Sequence, residues 1–138
     1  MRALLLGLLL TGPLAGAGEL VVVVNPASGV ERLSRAEVVN LFLGRTRRLP
    51  SGLTALPIDQ PGASGERADF YRTLVGKDLA DINAYWARLL FSGQASPPRQ
   101  ADSTEEVLEL VRTNKGAVGY VDAAKVDRRV RVVLEVRP

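Results

Sequence analysis

A leucine followed by four consecutive valines, Leu20–Val24, constrains the fold more than any other stretch of this sequence. β-Branched residues favour strands, and an unbroken apolar run lacks the alternation of a strand that has one face in water. The run is therefore predicted to be a strand buried on both faces. Such strands are typical of parallel sheets covered by helices, which indicates an α/β protein.

Apolar runs predict three further strands, and helical spacing behind polar capping residues predicts four helices. The strands are expected at residues 54–59, 116–121 and 130–136, and the helices behind Ser34, Ser64, Asp78 and Ser103. Gly116 and Gly119 in one strand indicate a bulge, or the close approach of another backbone or a ligand. The expected fold class is α/β: a single three-layer lobe with a mostly parallel or mixed sheet of about 4–5 strands, flanked by about 4 helices.

The first 17 residues have the features of a secretory signal peptide. Arg2 supplies the positive charge, an apolar segment follows at residues 3–10, and Ala15 and Ala17 suit signal peptidase. We therefore expect residues 1–17 to be removed and residues 18–138 to form one periplasmic α/β domain. An uncleaved N-terminal anchor is the alternative.

The composition narrows the possible chemistry. The chain contains no cysteine and no histidine, which excludes thiol catalysis, Ser-His-Asp catalysis and the usual zinc ligands. Catalysis by carboxylates is left open, with Asp59 and Glu66 as its candidates. The net charge of +3 is dispersed, without a basic stripe interleaved with aromatic residues, so we expect no nucleic acid partner. We also expect no cofactor and no enzymatic activity.

Residues 56–75 form the candidate binding segment, because a strand there leads through a Pro/Gly turn into a helix. Ser64 is a natural N-cap, and the small residues Gly62, Ala63 and Gly65 leave room for a ligand near the backbone. Unpaired N–H groups at a helix N-terminus bind anions. An ordinary capped helix is the competing interpretation.

Polar side chains follow the predicted strands at their carboxyl ends. Asn25 and Ser28 follow the valine run, and Gln60 follows the strand that enters the candidate segment. In open α/β sheets, ligands bind at the carboxyl ends of the strands. These three side chains are therefore predicted to contact the ligand.

Three segments carry a resemblance to a known family. They are residues 33–44 (LSRAEVVNLFLG), the turn at residues 61–65 before a helix with Phe70, and residues 116–121 (GAVGYV). In this order they resemble the periplasmic phosphate-binding proteins of ABC transporters and the wider type-2 periplasmic binding fold. The resemblance covers most of residues 20–121. It implies a ligand that is phosphate or another small oxyanion, and a transporter as partner.

The resemblance also shows where this chain departs from the family pattern. Full-size members grip the anion between two lobes, whereas this chain has the length of one lobe, which implies a second chain or a homodimer for tight binding. The anion loop of the family has arginine and aspartate before its Ser-Gly pair and threonine after it. Here Gln60, Gly62 and Glu66 occupy those positions, and only Ser64 and Gly65 match.

Two functions follow from these observations. The first is an exported binding protein that captures an oxyanion at the Ser64 helix. Arg67 is then a further ligand contact that could offset the charge of Glu66. The second is a ligand-free interaction module of the cell envelope, which the motif departures and the half-size chain favour.

Overall fold

The computed structural model describes residues 18–138, so the predicted signal peptide lies outside the described residues. The strands are β1 (Leu20–Val24), β2 (Leu56–Asp59), β3 (Arg99–Gln100), β4 (Ala117–Asp122) and β5 (Arg131–Val136). The helices are α1 (Arg35–Phe42), α2 (Gly65–Leu74), α3 (Leu79–Ser92) and α4 (Thr104–Thr113), with a 3₁₀ turn at Ala123–Lys125. None of the helices in this part of the chain is long and apolar enough to cross a membrane.

The five strands form one mixed sheet in the order β3-β2-β4-β1-β5. β2 pairs in parallel with β3 and β4, whereas β1 pairs antiparallel with β4 and β5. The predicted α/β lobe with a mixed sheet and four helices is therefore confirmed. β3 was not predicted, because it is only two residues long and directly follows Pro97 and Pro98, which mark a loop.

The valine run is buried on both faces, as predicted, although it pairs antiparallel with both neighbours and not in the parallel manner typical of such runs. Val22 and Val24 pack with α1, α2 and α3, while Val21 and Val23 pack with α4 on the other side of the sheet. Helices on both faces bury such a strand whichever way it runs, because burial does not depend on strand direction. The run therefore encodes a central strand but not its orientation.

Local capping fixes where the helices begin. The Ser34 hydroxyl accepts from the Glu37 N–H at 3.0 Å, and the Glu37 carboxylate accepts from the Ser34 N–H at 2.8 Å. The Ser103 hydroxyl likewise accepts from the Glu106 N–H at 3.1 Å. In a complete capping box, the Glu106 carboxylate would accept from the N–H of Ser103. Here it accepts from the N–H of the preceding residue, Asp102, at 2.6 Å.

Gly116 lies where β4 begins, against the backbone that precedes β2. A Cβ atom added at Gly116 would lie 2.0 Å from the Thr54 carbonyl oxygen. Gly116→Ala is therefore expected to lower the free energy of unfolding by about 3 kcal/mol, because backbone must move to admit the methyl group. Urea denaturation monitored by circular dichroism measures this loss.

Gly65→Ala is the matched control, because an added Cβ at Gly65 has no neighbour within 4 Å. In the first turn of α2, alanine also has a higher helix propensity than glycine. Its urea midpoint should equal or exceed that of the unchanged protein. Equal midpoints for both variants would show that β4 and β2 do not approach as closely as described.

Candidate functional site

The candidate segment lies at the sheet edge where β2 and β4 end. In the register of the sheet, Leu20 at the start of β1 lies opposite Asp122 of β4 and Val136 of β5. β1 therefore begins, and β5 ends, at the edge where β2 and β4 end. Both ends of the described chain leave the fold beside the candidate site.

Ser64 caps α2 and orients the turn in front of it. Its hydroxyl accepts from the Arg67 N–H at 3.2 Å, and its own N–H donates to the Pro61 carbonyl at 3.0 Å. The backbone N–H groups of Gly65 and Glu66 open the helix and have no partner among the described residues. They add to the positive end of the helix dipole, and the Ser64 hydroxyl retains a proton to donate.

Asp59, the last residue of β2, holds this turn in place through buried hydrogen bonds. The carboxylate is only 2% exposed and accepts four hydrogen bonds. The donors are Arg67 Nε at 3.1 Å, the Tyr71 hydroxyl at 2.9 Å, the Gln60 N–H at 3.1 Å and the Tyr120 hydroxyl. Because both oxygens are fully used, Asp59 ties β4 and the first two turns of α2 to the end of β2.

Burial maintains the two phenols as hydrogen-bond donors. It raises the pKa of Tyr71 well above its usual value, and the charge of Asp59 raises it further. The pKa of Tyr120 is raised by the same two causes, burial first. Both hydroxyls therefore keep their protons and donate to the carboxylate even at the alkaline pH at which a solvent-exposed tyrosine ionises.

Arg67, predicted as a ligand contact, points into this network. The side chain is buried, and its Nη1 and Nη2 atoms donate to the Gly62 carbonyl at 3.1 Å and the Asn83 side chain at 3.3 Å. The guanidinium also lies 5.4 Å from the centre of the Tyr71 ring. Because Arg67 Nε also donates to Asp59, the charge of Arg67 is neutralised inside the protein. The bond from Nη1 to the Gly62 carbonyl holds the turn in place.

Gln60 is also engaged within the protein. It is 1% exposed, its Nε2 donates to the Tyr120 carbonyl at 2.9 Å, and its Oε1 accepts from the Thr104 hydroxyl at 3.3 Å. The side chain thereby links β2 to β4 and to the start of α4. That Gln60 contacts a ligand stays a prediction.

The expectation that Asn25 and Ser28 share an edge with Gln60 is wrong. Because β1 runs opposite to β2, its carboxyl end lies at the far edge of the sheet, about 13 Å away along β1. Asn25 Nδ2 donates to the carbonyls of Val111 and Arg112, both at 2.9 Å, and so caps the end of α4. The Ser28 hydroxyl accepts from the Val30 N–H at 3.2 Å. Both side chains stabilise the loop behind β1.

Asp59 and Glu66 are the two carboxylates that the sequence left open for catalysis. Asp59 is fully hydrogen-bonded to protein groups, and Glu66 is not among its partners. Within residues 18–138, no three acidic side chains converge as a metal site would require. The sequence did not point to Tyr71, Tyr120 and Asn83 as partners of this network, since each is brought there only by the tertiary fold.

Comparisons with solved structures identify the fold. An ABC-type phosphate transport receptor from Vibrio cholerae superposes with a TM-score of 0.68 at 19% identity, over 84% of this chain and 45% of that one. A PstS protein from Borrelia burgdorferi superposes with a TM-score of 0.63 at 12% identity, over 85% of this chain and 47% of that one. The chain has the fold of one lobe of these proteins.

This chain spans slightly less than half the length of each of those two structures. Neither a protein-family model nor a curated protein sequence matches it. At such low identity the likeness concerns the fold alone.

Proposed function

We propose that this chain is an exported binding protein that captures a small oxyanion, phosphate or a close analogue, at the N-terminus of α2. The observation that carries this proposal is the pair of unpartnered N–H groups of Gly65 and Glu66 beside the Ser64 hydroxyl. The proposed contacts come from residues 62–65 and the Glu66 N–H, and Arg67 holds this turn through its hydrogen bond to the Gly62 carbonyl. The proposal includes removal of residues 1–17 during export to the periplasm, and neither catalysis nor a cofactor.

The site offers only one face to an anion. Its donors are backbone N–H groups and one hydroxyl, because the side chains of Gln60 and Arg67 are engaged elsewhere. Glu66 adds a negative charge in the first turn of α2. We therefore propose that a second surface completes the site, either a second copy of this chain or an envelope partner such as an ABC transporter.

Thermal unfolding of residues 18–138 with phosphate, sulfate, phosphonates and small carboxylates at matched low ionic strength tests the proposal. A ligand at one hundred times its Kd stabilises the folded state by about 2.7 kcal/mol, which raises Tm by roughly 10 °C in a domain of this size. A selective increase with one oxyanion supports the proposal. A flat response to all of them contradicts one-chain anion capture.

Glu66→Gln should strengthen oxyanion binding about fivefold. The substitution removes a negative charge from the first turn of α2, where it competes with the anion for the same positive end of the helix. Such a charge at short range near a surface is worth about 1 kcal/mol. Isothermal titration calorimetry with phosphate at low salt measures the difference.

Asp81→Asn is the matched control for this prediction. Asp81 occupies the corresponding first turn of α3, so both variants change the net charge equally and only one changes the proposed site. An equal gain in both would indicate an effect of net charge alone. No gain with Glu66→Gln would place the anion somewhere other than this turn.

A ligand-free interaction module is the second candidate function, and one surface favours it. Leu90 is 55% exposed and Phe91 is 95% exposed at the end of α3. Adjacent large apolar side chains in water are typical of a docking surface. The anion panel separates the two candidates, because an interaction module would show no selective stabilisation by any oxyanion.

A further inference from the structure

A cavity of about 420 Å³ lies between α2, α3 and the loop that leads to β3. Its polar lining includes Asp59, Arg67, Asn83 and Gln100, and its apolar lining includes Trp86, Leu90 and Pro97. The charge of Asp59 is paired with that of Arg67. None of residues 61–65 lines the cavity, and Arg67 connects it to the turn in front of α2 through a hydrogen bond to the Gly62 carbonyl. Its volume is within the range of small-molecule sites.

The polar end of the cavity has hydrogen-bond donors without a partner among the described residues. Asn83 Oδ1 accepts from Arg67 Nη2 at 3.3 Å, and arginine can only donate, so the amide orientation of Asn83 is fixed. Its NH₂ group therefore remains free, with no partner among the described residues. Arg67 uses three of its five N–H groups. Asp59 is saturated, so it offers a ligand no acceptor.

The apolar side of the cavity is exposed to water. Leu90 is 55% exposed, and Pro97 beside it is exposed as well. Trp86 is 5% exposed, and its indole N–H has no partner among residues 18–138. A buried N–H without an acceptor costs stability. The exposed Leu90, the Trp86 side chain and surplus donors therefore border the same cavity.

We propose that this cavity is a second ligand site, which binds a small carboxylic acid with a flat or branched apolar body. The carboxylate accepts from the Asn83 amide and the remaining Arg67 N–H groups, because its two oxygens take several donors at once. The apolar body covers Leu90 and Pro97 and lies against Trp86. This assignment does not rest on the proposed oxyanion function, although Arg67 belongs both to the cavity lining and to the network that holds the Gly62 turn.

The fluorescence of Trp86 tests the assignment, because it is the single tryptophan of the chain. Benzoate, phenylacetate and isovalerate are titrated into the purified protein, with benzamide as the uncharged analogue. We expect a saturable change in emission with at least one acid, and binding of benzamide weaker by about tenfold. Absence of a saturable change up to on the order of 10 mM of each acid overturns the proposal.

Asn83→Ala and Asn40→Ala provide the paired variants. Asn83→Ala removes the free donor and should weaken acid binding by about tenfold. Asn40 lies on α1 and does not line the cavity, so Asn40→Ala should leave the affinity unchanged. Asn83 is exposed, so its replacement is expected to leave a folded protein, which a circular dichroism melt checks. Equal affinities for the two variants overturn the proposal.

Inorganic phosphate separates this inference from the oxyanion proposal. Phosphate binding at α2 is measured by thermal unfolding, whereas acid binding is measured by Trp86 emission. Saturable acid binding that is unchanged by phosphate at a concentration that stabilises the protein supports two independent sites. Competition between phosphate and the acid for the same Trp86 signal overturns the assignment of a separate site.

Discussion

Replacing Asp59 with alanine is expected to lower the free energy of unfolding by about 3–5 kcal/mol. The substitution leaves the buried Arg67 guanidinium without its carboxylate and removes the acceptor of the Tyr71 and Tyr120 hydroxyls. An unpaired buried charge costs far more than the pair itself contributes. Urea denaturation monitored by circular dichroism gives the loss directly.

Asp69→Ala is the control for this prediction. Asp69 forms an ion pair with Arg72 on the same helix, but its side chain is 61% exposed, so its removal should change stability by less than about 0.5 kcal/mol. Asp59→Asn should fall between the two, because it retains the shape and an acceptor while losing the charge. Similar urea midpoints for Asp59→Ala and Asp69→Ala would contradict the anchoring role assigned to Asp59.

Phe70→Ala is expected to cost about 3–5 kcal/mol of unfolding free energy. Phe70 is 1% exposed, and its ring is stacked on Tyr120 at 3.8 Å between centroids and meets Phe42 edge-on at 4.9 Å. Alanine leaves a cavity among aromatic rings that cannot collapse without moving the sheet. Thermal and urea unfolding measure the loss.

Phe91→Ala tests the same substitution at a solvent-exposed position. Phe91 is 95% exposed, so its removal should alter the unfolding free energy by less than about 0.5 kcal/mol. The contrast between the two phenylalanines isolates packing from any general effect of losing an aromatic ring. If both variants lost comparable stability, the exposed position of Phe91 would be contradicted.

Local chemistry is what the sequence predicts best in this protein. The N-caps at Ser34 and Ser64 depend on residues three positions apart, and the valine run depends only on its own composition. The prediction of a close approach at Gly116 and Gly119 is also confirmed in part. Gly116 faces the Thr54 backbone, and a Cβ added at Gly119 would lie 2.8 Å from the Val107 side chain. Neither glycine makes room for a ligand in this structure.

Strand pairing and side-chain contacts between distant residues could not be predicted from the sequence. The direction of β1 is set by its pairing with β4 and β5, and that direction moves Asn25 and Ser28 away from the site. The direction of Arg67 is set by Asp59 and Asn83, which no helical spacing relates to it. The turn could therefore be located from sequence, while the side chains available to a ligand could not.

The central position of β1 also determines the order in which the molecule can be assembled. Among the described residues, β1 has both its partners about a hundred positions further along the chain, since Leu20 pairs with Asp122 and Val136. Such contacts close long loops, which slows folding. Until β4 and β5 are in place, the valine strand has no partner on either side and is open to pairing with other chains.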